Sequence, residues 1–557
     1  MWKKRWVPYA AAAGVSAAIY LGCSVSPPSL MDDVDAVQAQ IARTMLESGD
    51  WVTARLDGVP YLEKAPLLYW LIAGFFRVAG VADWVARLPV AFGAIALACL
   101  TTAFGVWAFG RRAGCYAGIC VSTCVGLFLF TRILIPDVIL TGTIALAMWS
   151  ILRALEEDEP HPAWWAALLA ASLAAGLLLK SLIGLVFPIG TGLVYLAVTR
   201  QLFVRRTWVR LKPFSGILIL LAIAAPWHVL ATIRNPPYFV FTMRSVPGEY
   251  HGFFWFYFFN EQLLRFLNMR SPRDYDTVPR LYFWGFHLLW LFPWSVYFPA
   301  LAKLSFRPAD RAGRVRLFAL CWIGVVMVFF TFSTTQEYYS MPIYPALALL
   351  LGCALAAEER AIAAWIRRGT RVLAAIAGLA AIVVIAILAL VRNLPAPGDI
   401  AGALAAHPNA YKLSLGHMED LTMASFAYLR LPLAVAAVAF LVGFLGTLRA
   451  RARQSFVAAA AMMVIFFHAA RLALVVFDPY MSSRLLANAL LAAPEGKLIV
   501  NHHYYEFSSV FFYTNRSALL LNGRFNNLVY GSYAPTSPPV FIDDAQFEDL
   551  WRRPERY

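Results

Sequence analysis

Long apolar runs recur along this chain from its first twenty residues to about residue 477, separated by short polar connections. A helix that crosses roughly 30 Å of hydrocarbon needs about 20 mostly apolar residues, and about thirteen runs are candidates. They are centred near residues 16, 96, 122, 146, 171, 190, 223, 292, 324, 348, 381, 438 and 466. The connections set their direction, because Lys and Arg accumulate in the cytoplasmic loops of membrane proteins. The clusters KKR (3–5), RR (111–112), RQLFVRRTWVRLK (200–212), KLSFRPADRAGRVR (303–316), ERAIAAWIRRGTR (359–371) and RARAR (449–453), with the acidic EEDEPHP (156–162), fall on one side in strict alternation. The pattern predicts a polytopic α-helical membrane protein with a cytoplasmic N-terminus and an outer C-terminus.

One apolar segment breaks the alternation. APLLYWLIAGFFRVAGVADW (65–84) would invert every later loop if it crossed the membrane, and Arg77 and Gly80 interrupt it. It reads as a helix lying in the interface. Upstream, Val37, Ile41 and Met45 recur every four residues, the spacing of an amphipathic helix. The first outer loop, 26–83, is therefore expected to hold two surface helices joined by TARLDGVPYLEK, and this puts Glu63 and Lys64 on the outer side. A second outer loop, 235–280, is dense in aromatic residues, as suits a headgroup-level surface. After residue 477 the hydropathy falls, and short strand-like runs (KLIVN, ALLLNG, PVFI) alternate with helix-like ones (EFSSVFFYT, DAQFEDLWRR). We expect a transmembrane unit over 1–477 and a small outer α/β domain over 478–557.

Composition agrees with this reading and narrows the partners. Of 557 residues 61% are hydrophobic and 14% charged, and the mean hydropathy is +0.63. A soluble chain cannot hide that much apolar surface. The net charge of +15 sits mainly in clusters between apolar runs, which points to anionic lipid and away from nucleic acid. The seven cysteines lie in or beside apolar runs without CxxC spacing, so they read as packing residues. The N-terminus has a basic start and an apolar run without a small-residue cleavage site, so it reads as an uncleaved first helix.

With the topology fixed, polar residues at the outer ends of spans become informative. They are Asp32, Asp33 and Asp35; Tyr61, Glu63 and Lys64; Arg132 and Asp137; Lys180; Glu261 and Arg265; and Glu337, Tyr338 and Tyr339. Ionisable groups at a membrane boundary are costly unless paired or solvated, so a shared cavity is expected. Lys64, Lys180, Arg132 and Arg265 suit phosphate oxygens. Asp33, Asp137 and Glu63 suit a hydroxylated substrate, a proton or a divalent cation, and Glu63 is the expected ligand if a cation takes part. Each residue also has a plainer reading. Arg132 and Lys180 could snorkel from helix ends, Asp32 or Asp35 could cap the helix starting near residue 36, and Glu63 and Lys64 could be a solvated pair. His251, His502 and His503 lack the spacing of a metal site.

MDDVDAVQAQIARTMLESGDWVTARLDGVPYLEKAPLLYW (31–70), followed by RILIPD, LLLKSLIGLVFP, FNEQLLRF and STTQEYYSMPIYPAL, resembles bacterial membrane glycosyltransferases of the GT-C class. Within that class it looks most like the lipid A aminoarabinose transferases, relatives of protein O-mannosyltransferases. The resemblance implies transfer of 4-amino-4-deoxy-L-arabinose from undecaprenyl phosphate to a lipid A phosphate at the periplasmic face of the inner membrane, giving resistance to polymyxin and cationic peptides. It implies catalytic roles for Asp33, Glu63, Lys64 and Asp137. It implies substrate contacts from Asp35, Tyr61, Arg132, Lys180, Glu261, Arg265, Glu337, Tyr338 and Tyr339. Relatives read Asp-Glu then Arg-Tyr-Ala after the first span, whereas this chain has Asp33-Val34-Asp35-Ala36-Val37-Gln38-Ala39. The key carboxylate thus maps to Asp33 or Asp35, with Asp33 preferred. No cofactor is expected beyond a divalent cation. The alternatives are transfer of another polyprenyl-linked sugar to a glycan or protein hydroxyl, and a flippase for lipid-linked sugar. A flippase should show paired inverted repeats, and none is evident in the sequence.

Overall fold

The computed structural model describes residues 4–24, 27–272, 278–404, 420–449 and 452–557. Lys3 of the first basic cluster, Ala450 and Arg451 of the cluster 449–453, and residues 273–277 of the second outer loop lie outside the described residues. Among those described, ten helices are long and apolar enough to cross a membrane. They are Val7–Ser24, Asp83–Phe109, Asp137–Leu155, Pro162–Leu179, Arg205–Arg234, Arg311–Phe332, Glu337–Ala356, Arg360–Val391, Arg430–Leu448 and Gln454–Val476.

The other three expected spans are shorter or broken. Ile183–Val198 is a 16-residue helix. The segment near 122 divides into Arg111–Ser122 and Val125–Phe130 because Cys124 is extended. The segment near 292 breaks into turns of helix around Pro293, which has no N–H to continue one. The two breaks meet. Val125 N donates to Phe292 O at 3.1 Å, and Trp294 Nε1 donates to Thr123 Oγ1 at 3.0 Å. Irregular backbone at membrane depth is tolerable when protein groups satisfy it in this way.

Small residues set the helix spacing. A Cβ on Gly105 would lie 2.7 Å from the Gly114 Cα, so Asp83–Phe109 and Arg111–Ser122 touch backbone to backbone. The acidic segment 156–162 meets two of the basic clusters. Arg206 pairs with Glu157 at 3.1 Å, Arg311 with Asp158 at 2.7 Å, and Arg314 with Glu156. These three connections therefore share one end of the bundle, as the charge alternation requires.

The first outer loop folds as expected into two surface helices, Asp35–Ser48 and Leu67–Ala79, which pack on each other. Val37, Ile41 and Met45 are buried in the first. The second has 13 residues, about 20 Å at 1.5 Å per residue, too short to span. Between them β1 (Arg55–Leu56) and β2 (Val59–Pro60) pair antiparallel. Asp57 and Gly58 take φ of 50° and 79°, the two-residue turn for which Asp-Gly is suited.

Residues 478–557 carry β3 (Leu498–Asn501), β4 (Ala518–Leu521) and β5 (Phe541–Ile542) in a parallel sheet of order β3-β4-β5. Helices Ser508–Thr514 and Asp544–Trp551 lie where the sequence pattern placed them. This segment docks on the first outer loop. Asp478 accepts from Ser29 N and Oγ at 2.7 and 2.8 Å, Tyr513 donates to Asp83 at 3.2 Å, and Asp57 accepts from Ala518 N at 3.2 Å.

Burial pushes the Asp57 carboxyl up to about 7, against the Ala518 N–H. A carboxyl raised above its unfolded value of about 3.9 contributes stability below that value and loses it as pH rises through the folded one. Asp57→Asn keeps the acceptor and the turn. It should therefore melt higher than wild type at pH 8, by on the order of 2 kcal/mol, with the gap closing below about pH 4. Thermal unfolding in detergent at the two pH values checks this, and a pH-independent gap would contradict it.

Candidate functional site

The hairpin strand β2 delivers Tyr61, Glu63 and Lys64 to the centre of a charged cluster. Glu63 is 6% exposed. Its carboxylate accepts from the Tyr61 hydroxyl at 2.8 Å, from Lys64 and from the Asn527 amide. Arg265 and Arg270 stand 3.6 and 3.9 Å away. Both arginines also serve Glu261, at 3.2 and 2.6 Å, and the Asn260 amide donates to it at 3.1 Å. Asn260, Glu261 and part of this group sit on a π-helix, Trp255–Leu264. Its i→i+5 ladder is rare and is frequently found at functional sites.

A second pair adjoins the first. Lys180 terminates the helix Pro162–Leu179 and donates to Asp137 Oδ1 at 2.6 Å, at the start of Asp137–Leu155. Its ammonium lies 5.0 and 4.7 Å from the ring centroids of Tyr338 and Tyr339. Arg265 Nη2 donates to the Tyr339 hydroxyl at 3.0 Å, so Tyr339 links the two groups. Glu337 opens the same 3₁₀ turn, Glu337–Ile343, and is buried.

The electrostatics are uneven. Burial alone would raise the Glu63 carboxyl, but Lys64, Arg270 and Arg265 outweigh it and hold Glu63 well below the usual range. Burial raises Glu261 to about 7, with Arg270 opposing and the like charge of Glu63 adding to the rise. Around Glu63 three cations (Lys64, Arg265, Arg270) thus meet two carboxylates, Glu63 and a Glu261 whose carboxyl is raised, while Lys180 is matched by Asp137. That excess suits an anion.

The remaining candidates lie in other networks. Asp35 is fully buried, pairs with Arg87 at 3.0 Å and accepts from Leu134 N at 2.8 Å. Burial raises its carboxyl and Arg87 opposes that. Asp33 is exposed, with φ of 71° and its N–H on Tyr505 O at 2.9 Å. Arg132 stacks 4.9 Å over the Phe128 ring. Neither Asp32 nor Asp35 caps the helix near residue 36, whose N-cap is Val34 with no side-chain bond. Asp32 instead accepts from Ser483 N at 2.8 Å and Ser509 N at 2.7 Å. It serves two helix starts in the C-terminal segment, and this corrects the capping expectation. Among the described residues no group of three His, Cys, Asp or Glu could hold a metal ion.

Sequence reasoning missed Arg270, Asn260, Asn527 and Arg87. Arg270 stands five residues after Arg265 in the same outer loop, and Arg87 is a charge inside an apolar run, so both carried a signal. Asn260 lies within the FNEQLLRF motif but is uncharged beside Glu261, and Asn527 is an ordinary uncharged residue that carried no signal.

The family described as dolichyl-phosphate-mannose-protein mannosyltransferase matches residues 63–229, starting at Glu63. The chain is 26% identical over 320 residues to the undecaprenyl phosphate-alpha-4-amino-4-deoxy-L-arabinose arabinosyl transferase of Pectobacterium atrosepticum, covering 56% of this chain and 53% of that one. It is 25% identical over 364 residues to the enzyme of the same name from Aeromonas salmonicida, covering 63% and 61%. The match thus spans between half and two thirds of these relatives' length. In three dimensions it extends further. The crystal structure of ArnT from Cupriavidus metallidurans bound to undecaprenyl phosphate superposes with a TM-score of 0.77 at 22% identity, covering 98% of this chain and 91% of that one. The chain has the ArnT fold. The apo structure of the same Cupriavidus metallidurans protein gives 0.75 at 21% identity.

The Asp35–Arg87 pair should behave as structure. Removing one partner of a buried pair costs about 3–5 kcal/mol because it strands the other charge. Asp35→Asn and Arg87→Met should each lower the unfolding midpoint strongly, and Asp35→Leu with Arg87→Met should recover much of the loss. A loss of activity per folded molecule in Asp35→Asn would instead assign Asp35 to the chemistry.

Proposed function

We propose that the chain is a membrane glycosyltransferase that moves 4-amino-4-deoxy-L-arabinose from undecaprenyl phosphate to a phosphate of lipid A, at the periplasmic face of the bacterial inner membrane. The observation that carries this reading is the cation excess around Glu63, in a fold whose solved representative binds undecaprenyl phosphate. The names of the relatives supply the sugar. Next to Lys64 lies a small cavity of about 10 Å³, lined by Leu62, Tyr69, Trp227, Phe253, Thr53 and Asn235, room for about one water.

The chemistry is a single displacement with inversion at the anomeric carbon. An acceptor phosphate oxygen forms the new bond as the bond to the donor phosphate oxygen breaks, and undecaprenyl phosphate leaves with that electron pair. The charge that builds on the leaving phosphate falls to Lys64, with Arg265 and Lys180 beside it, where preorganised cations are most effective. A phosphate acceptor is already largely anionic near neutral pH, having a second pKa of about 6, so it needs little help from a base. Glu63 and Asp137 then act chiefly by fixing the cations, and Asp33, on the exposed turn, is the carboxylate offered to the sugar amine. Tyr61, Tyr338 and Tyr339 line the polar surface, while Asp35 and Arg132 support the loops that carry it. The product masks lipid A charge and so weakens cationic peptide binding.

Lipid A from cells with and without the protein should differ by an aminoarabinose increment on phosphate in mass spectrometry. Lys64→Ala should lower kcat/KM for purified transfer by about 10²–10³-fold, the scale for removing one preorganised group that stabilises transition-state charge. Wild-type transfer by that variant would remove Lys64 from the reaction.

A further inference from the structure

The C-terminal segment reaches into the charged cluster through one side chain. Asn527 lies in the helix Asn526–Ser532 and is 6% exposed. Its amide nitrogen donates to Glu63 Oε2, and its amide oxygen accepts from Arg270 Nη2 at 3.4 Å. The two neighbours demand opposite things. An ionised carboxylate only accepts and a guanidinium only donates, so a neutral amide is suited to face both. An aspartate there would set a second carboxylate against Glu63, and an aliphatic residue would leave both charges short of a partner.

The helix that carries Asn527 is itself fixed against both sides of the cluster. The Tyr530 ring stacks on Phe256 with centroids 3.9 Å apart. Its hydroxyl accepts from His251 N and donates to Gly252 O, both at 2.9 Å, which ties it to the turn that starts the π-helix segment. On the other side a Cβ on Gly531 would lie 2.0 Å from Pro60 O, so the helix backbone rests on β2, three residues before Glu63. One helix of the C-terminal segment thus touches the strand that delivers Glu63 and the segment that delivers Glu261 and Arg265.

We propose that Asn527 is a positioning residue of the phosphate site, and that this site is complete only when the C-terminal helix Asn526–Ser532 is docked. The inference rests on the reading that Lys64, Arg265 and Arg270 receive a lipid phosphate. Asn527 acts through Glu63 and Arg270: it orients the carboxylate that holds Lys64, and it keeps Arg270 shared between Glu261 and Glu63. The soluble segment then controls the affinity of a site otherwise built from membrane loops.

The test measures affinity of the purified full-length protein for undecaprenyl phosphate, with the unfolding midpoint recorded for each variant. Asn527→Ala should weaken binding about tenfold, the scale of a hydrogen bond to a charged group, and Asn527→Asp should weaken it more. Glu63→Gln combined with Asn527→Asp exchanges donor and acceptor, and should bind better than Asn527→Asp alone. Tyr530→Phe, which loosens the helix without touching the cluster, should weaken binding about two- to threefold. Wild-type affinity in both single Asn527 variants, or a lowered midpoint with unchanged affinity of the folded protein, would overturn the proposal. If the wild type binds undecaprenyl phosphate but transfers no aminoarabinose to lipid A, the sugar reading falls and the positioning role of Asn527 stands. A wild type that does not bind undecaprenyl phosphate overturns both.

Discussion

Burying one carboxylate organises one end of this protein's helix bundle. Glu63 is almost inaccessible to solvent and yet held ionised, a state that costs several kcal/mol unless opposite charges and donors surround it. No single element supplies them. Lys64 comes from the same loop, Arg265 and Arg270 from the second outer loop, and Asn527 from the C-terminal segment. Segments separated by more than four hundred residues must therefore assemble before the charge is tolerable. The hairpin at Asp57-Gly58, the π-helix and the docked C-terminal helix can all be read as devices for that assembly.

The bundle was legible because membrane physics leaves few options. An apolar run of spanning length must be a helix in lipid, and the alternation of basic loops fixes which ends share a side. The same argument kept 65–84 in the interface, and the helix Leu67–Ala79 is indeed too short to cross. What it did not register is that the segments near 122 and 292 are broken helices, and the reason is local. Hydropathy counts apolar residues but does not register that Val125 can bond to Phe292 O, so that two broken segments complete each other. The strands after residue 477 were legible from β-branched and aliphatic runs, but their docking on Ser29, Asp57 and Asp83 was not, because those contacts are made by ordinary polar side chains.

The site was legible to the extent that charge is unusual next to lipid. Glu63, Lys64, Asp137, Lys180, Glu261, Arg265, Tyr338 and Tyr339 stood out as polar groups at the outer ends of apolar runs, and the structure joins them through Tyr339 and the two arginines. The same rule also gathered Asp32, Asp35 and Arg132, which make other contacts. A sequence position gives depth in the membrane but not direction around a helix or turn. Asp32 and Asp35 are three residues apart, yet one serves helices of the C-terminal segment and the other Arg87 in a membrane helix. Asn527 was invisible because its importance lies in having both a donor and an acceptor, a property every asparagine shares.

The two ends of the bundle use ion pairs differently, and the contrast bears on why the outer cluster exists. At the basic-loop end the pairs run from half-buried, as with Arg314 and Glu156 at 33% and 9% exposed, to open to water, as with Arg206 and Glu157 at 67% and 82%. Pairs as open as the latter are worth about 0–1 kcal/mol and need little else than proximity. At the opposite end Arg270 and Glu261 are 3% and 4% exposed. A buried pair of that kind is on average no more stabilising than apolar residues of the same volume. Stability alone therefore gives no reason to keep four cations and their carboxylates there. A partly dehydrated set of cations, already oriented by carboxylates and an amide, is instead what an incoming phosphate needs: it replaces water around the anion with little further reorganisation. On that argument the cluster's expense in folding free energy is tied to the binding and chemistry proposed for it.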